Sequence, residues 1–112
     1  MTAEEFRIQA LDLPGVEEGF NMGSAVFKAN GKVLARLLEN DRVMLTGYAA
    51  DEIDVMVEVE PALFDATPHF RDAGCIAARL DRLDPAAAHA LLARRFRTIA
   101  KKAVIKAWDA GN

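Results

Sequence analysis

The chain has 112 residues, 52% of them hydrophobic and 28% charged, with a net charge of -3. This fits a single folded domain over 1–112 and excludes a disordered or low-complexity chain. One cysteine, Cys75, excludes an intrachain disulfide, and no apolar run approaches the ~20 residues of a transmembrane helix.

The polar start Met1-Thr2-Ala3-Glu4-Glu5 resembles no secretory leader, so the expected location is the cytoplasm. Thr2 and Glu5 stand at capping-box spacing, and Ala3, Phe6, Ala10 and Leu13 recur at helical intervals, which predicts a helix over about residues 3 to 12. Beyond Pro14-Gly15, residues 16 to 20 read as a short strand and Asn21-Met22-Gly23 as a turn. The sharpest local signal follows. Two alternating runs joined by Asn30-Gly31 predict a tight hairpin, because this pair supplies the positive-φ residues of a type I′ turn.

Residues 41 to 46 fit a further antiparallel neighbour. Residues 49 to 60 carry both periodicities, and their acidic start favours a helix that ends before Pro61. Residues 63 to 74 read as a connecting loop, and 75 to 80 as another strand. Asp84-Pro85, an N-cap followed by proline at the first helical position, opens a long helix to about Trp108. Its predicted buried stripe is Ala88, Leu91, Leu92, Phe96, Ile99 and Ala103.

The pattern predicts an α+β two-layer sandwich, an antiparallel sheet of about five strands with helices on one face. Strict alternation turns Ala25, Phe27, Ala29, Val33, Ala35, Leu37, Val43, Leu45, Ile76, Ala78 and Leu80 toward the helices. Val26, Lys28, Leu34, Arg36, Met44, Ala77 and Arg79 then occupy the open face.

Four segments, in this order and spacing, resemble the MmcQ/YjbR family of small bacterial proteins: Leu13-Pro14-Gly15-Val16-Glu17-Glu18, the run from Val26 to Ala35, Pro68-His69-Phe70 and Leu80-Asp81-Arg82-Leu83-Asp84. The resemblance implies a frataxin-like (CyaY-like) sandwich and, from the family's double-wing description, DNA binding without catalytic residues. Family members usually carry Gly-Trp-Val where this chain has Gly74-Cys75-Ile76. Likeness of fold to frataxin does not transfer its function.

Charge is unevenly spread. From His89 onward there are six basic residues and one acid, leaving eight bases and sixteen acids before it. Two basic surfaces are therefore candidates for binding double-stranded DNA. One is the stripe Arg94, Arg97 and Lys101 on the last helix, with Trp108 projecting in the same direction; the alternative is a solvated face with the tryptophan folded back. The other is Lys28, Arg36 and Arg79 on the open sheet face, with Lys32 near the hairpin turn. There the alternatives are basic stems covering apolar surface, or a homodimer interface using Met44, Leu34 and Val26.

His69 and His89 have no partner at metal or triad spacing, which leaves His69 as part of a small-ligand loop or as a structural residue. Cys75 reads as a small buried hydrophobe. The acids Glu4, Glu5, Asp12, Glu17 and Glu18 form no compact metal ridge. No cofactor, metal or enzymatic activity is expected, and the leading expectation is a binding protein.

Overall fold

A capping box starts the chain: Thr2 N donates to Glu5 Oε1 at 2.9 Å and Glu5 N to Thr2 Oγ1 at 3.1 Å. It opens α1 (Ala3–Leu11) in the computed structural model, which describes residues 1–111. Strands β1 (Val16–Asn21), β2 (Ser24–Ala29), β3 (Lys32–Leu38) and β4 (Arg42–Thr46) follow as a meander. Helix α2 (Ala50–Val59) then precedes β5 (Phe64–Asp65), α3 (Pro68–Asp72), β6 (Cys75–Arg79), α4 (Pro85–Ile99) and α5 (Lys102–Ala110). All strand pairs are antiparallel, in the order β1-β2-β3-β4-β6-β5. The fold is α+β, a two-layer arrangement in which α1, α2 and α4 contribute buried residues to the core cluster beside the sheet.

The Asn30-Gly31 turn has φ values of 53° and 75°, as a type I′ hairpin requires, and Met22-Gly23 makes a second such pair at 51° and 79°. The expected alternation is displaced in β3. Phe27 pairs with Ala35 but Lys28 with Val33, so Leu34 is the extra residue of a β-bulge. Leu34 and Ala35 therefore both enter the core at 0% exposure, and Val33 takes the open side beside Lys28. This reverses the assignment of Val33 and Leu34 that strict alternation gives.

Residues 63 to 74 are not a plain loop. Phe64 is buried where β5 pairs with β6, and Thr67 caps α3 by accepting from Phe70 N at 3.1 Å. Past β6, the backbone forms one 3-10 turn, Leu80–Arg82.

The long C-terminal helix is two helices. Ala100 and Lys101 are extended, with ψ of 156° and 143°. The reason lies in the phase of the apolar residues. Ala88, Leu92, Phe96 and Ile99 share one stripe, but an unbroken helix would carry that stripe on to Ala103 and Lys106 and turn Val104, Ile105 and Trp108 to solvent. The break restores those three to the body, where they pack against the core. Trp108 meets Phe96 edge to face at 5.1 Å between ring centroids. Among the described residues no helix is long and apolar enough to cross a membrane.

Candidate nucleic-acid interface

The arginines and lysines follow different rules. Arg94 donates to Glu52 Oε2 at 2.9 Å and stacks over Tyr48 at 4.1 Å, and Arg97 grips Asp109 with contacts of 3.0 and 2.7 Å while lying over Trp108. Arg79 reaches Asp81 at 3.2 Å. Arg42 is bound to Asp65, Arg71 to Asp54, and Arg7 to Glu4 and Glu18. Arg95 Nε donates to Val33 O at 3.0 Å. The planar guanidinium fork suits this work, since it holds two acceptors at once. Among the described residues, Arg82 is the one arginine of nine whose side chain makes no hydrogen bond or ion pair, and none of the five lysine side chains makes one.

These bonds set the electrostatics. The hydrogen bond from Arg97 holds the Asp109 carboxyl below its ordinary range, and that from Arg71 does the same for Asp54. Glu52 is lowered first by the Ala49 N–H it accepts at 3.0 Å and then by Arg94. Burial pushes the Tyr48 hydroxyl up despite the nearby Arg94.

The seven candidate residues thus do not form one surface. Arg94, Arg97 and Arg79 are committed to acids of the same chain. Trp108 lies half-buried against α4, so the stripe of Arg94, Arg97 and Lys101 has no projecting aromatic. Arg36 donates to Asn21 O, Asn21 Oδ1 and Ser24 Oγ, clasping the β1–β2 turn. On the open face Val26 and Ala77 are 2% and 0% exposed, and their cross-strand neighbours there include Arg36 and Asp65. Leu34, a proposed contact of an open-face dimer, is in the core.

Lys28, Lys32 and Lys101 remain uncommitted. Lys28 and Lys101 line one cleft of about 420 Å³ between the α1–β1 turn, the β2–β3 hairpin and the α4–α5 break. Its lining also includes Pro14, Gly15, Ala29 and Gly31, with Glu17 as its acid. Lys32 does not line it; it pairs with Ala29 at the hairpin end, on the face opposite to Lys28. Asn30 fixes the geometry by donating through Nδ2 to Ile99 O at 3.1 Å, which joins the hairpin to the end of α4. Periodicity alone could not find this grouping, because Lys28 and Lys101 meet only where the predicted long helix breaks.

The remaining candidates are peripheral. His69 is exposed on α3, His89 lies 6.3 Å from Trp108 between ring centroids, and Cys75 is buried at the start of β6. Glu5 caps α1, while Glu4 and Glu18 bind Arg7; among the described residues no three His, Cys, Asp or Glu side chains converge on a metal-sized site. No family model matches the chain, and neither a curated protein nor a solved structure is significantly similar to it.

Proposed function

We propose that this chain is a small non-enzymatic binding protein of the MmcQ/YjbR kind, acting in the cytoplasm, which contacts the phosphate backbone of double-stranded DNA through the β2–β3 hairpin and the α4–α5 break. The supporting observation is the convergence of Lys28 and Lys101 on one cleft, with no acid among the described residues bound to either. Lys32 adds a third cation next to the Asn30-Gly31 turn, on the sheet face opposite to Lys28. Lysine ammonium groups on flexible stems follow a phosphate track without demanding one geometry, and their contacts carry no base information. Recognition is therefore of charge and shape.

Anisotropy of labelled duplex DNA, titrated with the protein at two salt concentrations, tests this reading. Binding should weaken steeply with salt, by about 0.9 in log–log slope per phosphate neutralised. The triple change Lys28→Ala, Lys32→Ala, Lys101→Ala should flatten that slope. No binding at low salt, or an unchanged slope in the triple variant, refutes the proposal.

A further inference from the structure

The two edges of the sheet are treated differently. The β5 edge is only two residues long and lies between Pro61 and Pro68, which protects it from further pairing. The β1 edge is six residues long and carries neither proline nor lysine. Two large apolar side chains stand exposed at its end, Phe20 at 76% and Met22 at 93%. Glu18, which shares the helix-side face with Phe20, is already neutralised by Arg7 at 2.7 Å.

The pairing pattern shows which groups are available. The two-residue turn Met22-Gly23 makes Asn21 and Ser24 a hydrogen-bonded pair, so Gly19 and Glu17 also bond toward β2. The N–H and C=O groups of Glu18 and Phe20 then point away from the sheet.

We propose that β1 pairs antiparallel with β1 of a second copy of this chain, with Gly19 on the two-fold axis, to form one continuous sheet. In this register Glu18 and Phe20 of the second copy exchange both backbone hydrogen bonds, and the axis repeats the exchange. The two Phe20 side chains become diagonal neighbours on the helix-side face, within aromatic reach. Val16 faces Met22 of the second copy. A register shifted to centre on Glu18 would instead place the two Glu18 carboxylates directly opposite each other.

Charge complementarity selects the same partner. Among the described residues Glu17 and Arg36 each lack an ion pair, and both belong to the open-face set defined by the strand pairing. Arg36 is held against Asn21 by a 2.8 Å bond to Oδ1. With Gly19 on the axis, Glu17 of the second copy lies opposite Asn21, and its carboxylate meets the Arg36 guanidinium. A depression of about 230 Å³ lined by Glu17, Gly19, Asn21, Val26 and Lys28 leaves room for that side chain. The β1 edge is distinct from the buried apolar surface of the open sheet face.

Sedimentation equilibrium across the micromolar range, without nucleic acid, tests the pairing independently of DNA binding. The expected mass is twice the 12.2 kDa of the chain. Phe20→Lys should return it to the single-chain value with an unchanged circular dichroism spectrum, because Phe20 is exposed in the monomer. Glu17→Arg and Arg36→Glu should each weaken association, and the double change should restore it. A single-chain mass throughout the range, a dimer that survives Phe20→Lys, or a charge-swapped pair that fails to recover would each overturn the proposal.

Discussion

Asn30 Nδ2 donates to Ile99 O across 3.1 Å, so one side chain both shapes the β2–β3 turn and caps a carbonyl at the end of α4. These roles separate by substitution. Asn30→Gly keeps the left-handed backbone and removes the bond, at about 1 kcal/mol. Asn30→Ala also strains the turn and should cost about 2 kcal/mol. Urea unfolding of both variants checks the order; equal losses would show that the turn conformation contributes nothing.

The bulge in β3 predicts a contrast between adjacent residues. Leu34→Ala removes a fully buried side chain and should cost about 3 kcal/mol, whereas Val33→Ala on the open side should cost under about 1 kcal/mol. Strict alternation demands the reverse ranking, so chemical denaturation of the two variants decides between the registers.

Trp108 reports on α5, since it is the only tryptophan and packs on Phe96 beneath Arg97. Asp109→Asn should loosen the Arg97 contact and shift Trp108 emission to longer wavelength. Any loss of global stability should be small, because the pair is exposed. Unchanged emission would show that ring packing alone seats the helix.

Acid should destabilise the fold in a defined direction. Glu5, Glu52, Asp54 and Asp109 are all held below the ordinary values of 4.5 for Glu and 3.8 for Asp. A carboxylate with a lowered folded-state pKa contributes its stability fully above the unfolded value and loses it as pH falls through the folded one. Thermal midpoints should therefore be flat in these groups above about pH 5 and decline below about pH 4. A midpoint that stayed constant down to pH 2 would contradict the role of these contacts.

Much of the architecture was legible locally. Thr2 with Glu5, Asn30-Gly31 and Asp84-Pro85 each act within a few residues, and each marks the element that forms there. Other features depend on distant partners. The two-residue β5 exists because β6 is there to pair with it, and the bulge at Leu34 depends on packing across two strands. The α4–α5 break left a readable sign, the phase change between Ile99 and Val104, which a search for one continuous stripe passes over. At the candidate interface, composition located the cations but not their partners: Glu52 and Asp109 remove Arg94 and Arg97, while Lys28 is joined to Lys101 only through the folded hairpin.

The division of labour between the two basic residue types makes the charge of this protein separable from its architecture. Acylation of the five lysine amines would shift the isoelectric point further into the acidic range and erase the positive patch around the cleft. Every guanidinium clasp would remain in place. The folded scaffold would thus lose its amine charge by acylation alone, while the ion pairs among the described residues, all of them made by arginine, stay intact.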